Sequence, residues 1–323
     1  MALDQLPAGP TTGVASEPPS PARRDRRRSS RVYSGQPAPH PLWRLIKAVV
    51  LTVACAAVVL PFVGIVATSV APGDQLARSS GFVLWPESVN LEAYRSILTG
   101  GVVTRSLIIS IGVTLVGTAL SMAATTLMAY GLARPVTVGR GPVLSLLLLS
   151  LLFAPGMIPI YLVVKQVGLL DSLWALILPS MLSAFNVIVV RSFFQGIPAE
   201  LIDSARIDGA SEWQIFRLIS LPLSKAVLAV VGLFYAVQYW NAFFNALLYL
   251  NESSLWPLQM VLRTYVINGT NLSPADLGPA EVLPPQPALQ MAILVISIVP
   301  IICLYPFLQR HFAKGVLTGA VKG

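Results

Sequence analysis

Six long apolar runs alternate with polar segments along this chain, at about residues 48–70, 106–133, 143–164, 172–190, 226–250 and 288–308. A helix needs ~20 apolar residues to cross the hydrocarbon core of a bilayer. Each run therefore predicts a spanning helix, and the pattern predicts an all-α integral membrane protein with six transmembrane helices. Proline stands within or at the ends of several runs, as Pro61, Pro155, Pro159, Pro179, Pro300 and Pro306. In lipid such breaks are tolerated where neighbouring helices satisfy the freed backbone groups, so a packed, kinked bundle is expected.

Between the fourth and fifth runs the periodicity changes. The stretch Glu200–Pro222 carries Glu200, Asp203, Arg206, Asp208, Glu212 and Arg217. It predicts two short amphipathic helices. The first starts near Pro198, places acids in its first turn where the helix dipole favours them, and stops at Gly209, the residue type suited to a left-handed cap. The second opens at Ser211, with Gln214 at capping-box spacing, and is expected to end before Pro222. Leu201 and Ala205 share a face of the first, Trp213 and Phe216 a face of the second. Helices that lie on a membrane surface favour Lys and Arg on their polar side. This pair has four acids against two arginines, which points to a protein partner.

Composition sharpens the class. Of 323 residues 55% are hydrophobic and 11% charged, against about 25% charged in a soluble domain. The mean hydropathy is +0.72. The net charge of +8 is concentrated before the first run, at Arg23, Arg24, Arg26, Arg27, Arg28 and Arg31. Residues 1–42 read as a disordered basic cytoplasmic tail that helps fix topology, in preference to a nucleic-acid-binding arm. The apolar run at 48–70 exceeds the ~7–15 residues of a signal-peptide core, so it reads as a retained span. With the N-terminus inside, segments 1–47, 134–142, 191–225 and 309–323 hold most of the Lys and Arg, which predicts N-in, C-in and a cytoplasmic 198–222 insert. Cys55, Cys303, His40 and His311 are isolated from other ligands, so no metal site is expected. No span core contains Asp, Glu, Lys, Arg or His. Proton relays across membranes normally need such groups, and an uncharged path suits an uncharged polar cargo. The chain also lacks the G-x-x-x-x-G-K-[ST] phosphate loop, so ATP would have to be hydrolysed elsewhere.

The insert resembles the EAA loop of permease subunits of ABC importers. Asp203-Ser204-Ala205, Gly209, Ile219, Leu221 and Pro222 keep that motif's spacing, with Asp for Glu and Ser for the first Ala. The stretches Phe82–Tyr94 and Gln238–Leu250 look like those of carbohydrate-type permeases related to MalG. The tail Tyr305–Gly323 is similar to the LplC/YtcP branch of that family. The resemblance covers most of residues 43–323. It implies a permease domain over 43–308, a C-terminal cytoplasmic tail over 309–323, and location in a bacterial cytoplasmic membrane. It implies a transport subunit rather than an enzyme, working with a second homologous permease, two ATPase subunits that bind ATP and Mg, and an external solute-binding protein. In the family the EAA loop couples to the ATPase, which makes Asp203, Ser204, Ala205, Gly209, Trp213, Phe216, Ile219, Leu221 and Pro222 the coupling residues. Gly315, Gly319 and Gly323 become candidate tail contacts with that ATPase.

The cargo path is less defined by pattern. Gln238, Trp240, Asn241 and Asn245 cluster in the fifth run among aromatic residues, which suits a carbohydrate. The same amides suit bonds to neighbouring helices, and both readings stand. Residues 251–287 form an outer segment longer than an ordinary loop. A polyol or glycerol phosphate cargo is the alternative within the family, and a secondary transporter the alternative outside it.

Overall fold

The computed structural model describes residues 41–135, 137–278 and 283–319, with side chains described up to 304 and at Pro306. The described residues are mainly helical, and their only β-type contact is an isolated bridge between Gly101 and Leu277. The chain divides into residues 1–54 and 55–323. Helix α1 (Pro41–Ser69) begins in the first unit and ends in the second. After short helices at Gly73–Arg78 and Glu92–Leu98, the main helices are α2 (Gly101–Ala133), α3 (Arg140–Leu152), α4 (Met157–Gln166), α5 (Ala184–Gln195), α6 (Ala199–Ile207), α7 (Glu212–Leu223), α8 (Lys225–Trp240), α9 (Phe243–Tyr249) and α10 (Gln286–Gly319).

Three helices among the described residues are long and apolar enough to cross a membrane: Pro41–Ser69, Gly101–Ala133 and Gln286–Leu304. Two bent pairs pass the same test together, Trp174–Ser180 with α5 at 51° and α7 with α8 at 82°. The run at 143–164 is not one continuous helix. It breaks between α3 and α4 at Phe153–Gly156, where Pro155 removes a backbone donor and Gly156 takes φ 80°. The fifth run likewise breaks at Asn241–Ala242, between α8 and α9.

Around α2 the packing is set by small side chains. Ser106, Ser110, Gly117, Ser121 and Thr125 are buried along one face, and small residues allow close helix approach in lipid. The Tyr239 ring lies against Gly117, where a β-carbon would come within 2.8 Å of it. The Tyr239 hydroxyl pairs with Ser121 Oγ at 2.8 Å and donates to the Ile177 carbonyl at 3.2 Å. The Tyr235 hydroxyl pairs with Thr125 Oγ1 at 2.7 Å and accepts from the Ser183 amide at 3.1 Å. That last bond satisfies a donor freed by the break before α5, as a lipid setting requires.

A second apolar cluster lies at the N-terminal end of α2. It joins Leu76, Val83, Ile97, Val103, Leu258, Val261, Leu277 and Ile293. Residues 251–278 are thus a packed element rather than a bare loop. Their helical part, Leu258–Ile267, is tied to α2 by the Leu258 amide on Ser110 Oγ at 2.7 Å.

Candidate functional site

The polar insert is built at the other end of α2. Helix α6 ends in a Schellman cap: Gly209 stands at φ 79°, its amide donates to Arg206 O at 3.0 Å, and the Ala210 amide donates to Ala205 O at 2.9 Å. Ser211 then closes a capping box. Its amide donates to Gln214 Oε1 at 2.7 Å, and the Gln214 amide donates to Ser211 Oγ at 3.3 Å.

Helix α7 does not end before Pro222, as the sequence pattern predicts, but runs to Leu223. The reason is a π-helical turn over Ile215–Ser220, in which the Leu221 amide reaches back five residues to Phe216 O. The changed register shifts the carbonyl that a proline ring would otherwise strike. Nor does α6 bury Leu201. Ile202 is buried, Ala205 is half-buried and Leu201 is exposed, because the helix turns the 202 face to the bundle.

Two contacts fasten the insert to the spans. The first is aromatic. Phe216 is buried, with its ring centroid 4.8 Å from Tyr130 at the end of α2 and 6.4 Å from Phe194 at the end of α5. The second is ionic and centred on Glu212. Its Oε1 accepts from Arg206 Nη2 at 2.7 Å, and its Oε2 accepts from the Tyr130 hydroxyl at 2.9 Å. Arg134 Nη2 donates to that same hydroxyl at 2.7 Å. The Arg206 hydrogen bond holds the Glu212 carboxyl below its ordinary value. Glu212 thereby joins α6, α7 and α2 through one carboxylate.

Large apolar side chains of the insert are exposed among its charged ones. Ile207 is 87% exposed, Leu218 67% and Trp213 59%, while Trp213 rests on Phe216 with centroids 5.3 Å apart.

The structure brings together most of the coupling residues named from sequence. Asp203 is exposed and pairs with Arg206 at 3.5 Å, and Ser204 Oγ caps the Leu201 carbonyl at 3.2 Å. Ile219 is half-buried, and Leu221 packs against the main core. Sequence reasoning missed the anchors Tyr130, Arg134 and Phe194 and the central part of Glu212. A tyrosine and an arginine four residues apart at the end of a span were the available signal. Gly315 and Gly319 lie in α10, and Gly323 lies outside the described residues.

The candidate path residues separate. Trp240 is buried, and its Nε1–H donates to the Ser297 carbonyl at 3.1 Å. Asn245 Nδ2 donates to Ser180 Oγ at 3.3 Å, a bond from α9 to the turn Leu178–Ser180. Gln238 and Asn241 remain exposed, and Asn241 Nδ2 donates to Val237 O at 2.9 Å. Among the described residues no group of three or more His, Cys, Asp or Glu is placed to hold a metal ion.

Residues 107–318 match the family described as the inner membrane component of binding-protein-dependent transport systems. The polygalacturonan/rhamnogalacturonan transport system permease protein YtcP of Bacillus subtilis is 46% identical over 267 residues, covering 82% of this chain and 93% of the relative. Protein LplC of the same organism is 48% identical over 265 residues, covering 82% and 90%. Among solved structures, a chain of a bacterial ABC transporter involved in the import of the acidic polysaccharide alginate superposes with a TM-score of 0.76 at 27% identity. The match covers 86% of this chain and all of that one. With the insert, the bundle and these likenesses in agreement, the chain belongs to the family of inner membrane components of binding-protein-dependent transport systems.

Proposed function

We propose that this chain is the permease subunit of an ATP-driven ABC importer for an oligosaccharide. The observation that carries the reading is the insert: two capped helices, fastened by Phe216 and Glu212 to the ends of α2 and α5, with Ile207, Trp213 and Leu218 left facing outward. A stiff pair of this kind transmits rigid-body motion. Exposed apolar side chains of this kind mark a protein-binding surface, and here that surface receives an ATPase subunit. ATP and Mg are bound by that partner. The relatives support the cargo class: one is named for polygalacturonan and rhamnogalacturonan, and the superposed structure belongs to an alginate importer.

On this reading the chain has six spans in a bacterial cytoplasmic membrane, N-in and C-in, with α3 and α4 together forming the third. It pairs with a second related permease, two ATPases and an external binding protein. The coupling residues are Asp203, Ser204, Ala205, Gly209, Trp213, Phe216, Ile219, Leu221 and Pro222, and the α10 end at Gly315 and Gly319 contacts the ATPase as well. Gln238 and Asn241 face the cargo.

Purification of the tagged chain from its native membrane in mild detergent, followed by mass spectrometry, tests this. The wild type should bring an ATPase and a second multi-span chain. Trp213→Ala combined with Ile207→Ala should lose the ATPase and keep the second permease. A chain that purifies alone and carries sugar into liposomes without ATP would establish a secondary transporter instead.

A further inference from the structure

The break between α8 and α9 carries a feature that coupling does not use. Phe243 opens α9 two residues beyond Asn241, and its amide donates to Asn241 O at 2.7 Å. The guanidinium of Arg263, on the helical segment Leu258–Ile267, lies over the Phe243 ring with Cζ 4.7 Å from the centroid. Stacking fixes a planar cation in position and leaves its N–H groups in the plane, directed outward. Arg263 is exposed, and among the described residues it has neither a carboxylate partner nor a side-chain hydrogen-bond acceptor.

Beside the break, Gln238 and Asn241 are exposed three residues apart, hence on one helix face. Asn241 spends an N–H on Val237 O and keeps its Oδ1 for a hydroxyl. Phe244 adds an aromatic surface 52% exposed. Arg263 on Phe243 thus offers a fork for a carboxylate, and the adjoining end of α8, two residues before Phe243, offers exposed amides for hydroxyls. A neutral sugar would use only the amides.

Resting on the oligosaccharide-importer reading, we propose that Arg263, stacked on Phe243, receives the carboxylate of a uronic-acid oligosaccharide at the α8–α9 break, with Gln238 and Asn241 meeting its hydroxyls. Arginine suits this because its fork matches both carboxylate oxygens, whereas lysine offers a point charge. The cargo is thus acidic, and Arg263 is the residue of this chain that selects for its charge.

The test is uptake by membrane vesicles that hold the full transporter with its own ATPase, second permease and binding protein. The probes are trigalacturonate and its carboxyl-reduced, neutral counterpart. ATPase stimulation by loaded binding protein is followed in parallel, and the amount of chain in the membrane is checked. Arg263→Gln should lower trigalacturonate uptake at limiting concentration by roughly tenfold, the loss of a charged bidentate contact, and leave ATPase stimulation unchanged. Arg263→Lys should recover part of it. Wild-type uptake of trigalacturonate by Arg263→Gln would overturn the proposal. So would a parallel loss of uptake and stimulation, which would make Arg263 a docking residue for the binding protein. If wild-type vesicles take up only the neutral trimer, the proposal falls while the importer reading stands. If they take up neither with ATP, both fall.

Discussion

Gly209 and Gly117 show two different reasons for a glycine. At Gly209 nothing lies within 4 Å of where a β-carbon would stand, but φ is +79°. An alanine there meets only backbone strain, about 1 kcal/mol. Gly209→Ala should therefore raise amide exchange at the α6–α7 junction while the spans keep their protection. Glu212 is the residue on which the insert's ionic contacts converge. Arg206 holds its carboxyl below the ordinary value of 4.5, so its contribution is fully present above that value and is lost as pH falls through the lowered one. The tie is then constant between about pH 6 and 8. Glu212→Gln should loosen residues 199–223 at pH 7, read by hydrogen exchange. At acid pH wild type should approach the variant. A variant as protected as wild type at pH 7 would remove Glu212 from the tie.

At the scale of elements the α2–α8 pair dominates. Its two tyrosines bury hydroxyls that each find two partners, and one of those partners is a backbone amide exposed by the break before α5. Removing the Tyr235 hydroxyl leaves Ser183 N–H and Thr125 Oγ1 unsatisfied, a loss of about 1–3 kcal/mol. Tyr235→Phe should lower the melting midpoint of the purified complex without abolishing assembly. Gly117→Ala should do so more severely, because its β-carbon would meet the Tyr239 ring at 2.8 Å and the helices must part. The comparison of the two midpoints, measured by tryptophan fluorescence in the same detergent, checks the order.

For the whole molecule α2 is the element that matters. Its 33 residues span about 50 Å at the helical rise. Near one end Ser110 holds the segment that carries Arg263, and at the other Tyr130 holds Glu212. On the proposed function, α2 is the rod through which movement of the insert would reach the segment that carries Arg263. The sidedness that this mechanism needs is open to direct test. Ser211→Cys should react with an impermeant maleimide only in inside-out vesicles, and Asn268→Cys only in intact cells. Both positions are exposed, and the opposite pattern would invert the topology.

The apolar runs and the spacing from Asp203 to Pro222 were sufficient for a helical membrane protein with a charged insert between its fourth and fifth runs. These are local or compositional signals: the length of a run reports on the bilayer, and the capping residues Gly209 and Ser211 report on their own turns. What tertiary structure alone decided depends on partners distant in sequence. It decided that α7 passes Pro222 through a π turn, that Ile202 rather than Leu201 faces the bundle, and that Trp240 is committed to Ser297 while Gln238 and Asn241 stay open. It also set Arg263 on Phe243, twenty residues away along the chain. Periodicity shows that a helix has two faces, and only packing chooses what each face meets.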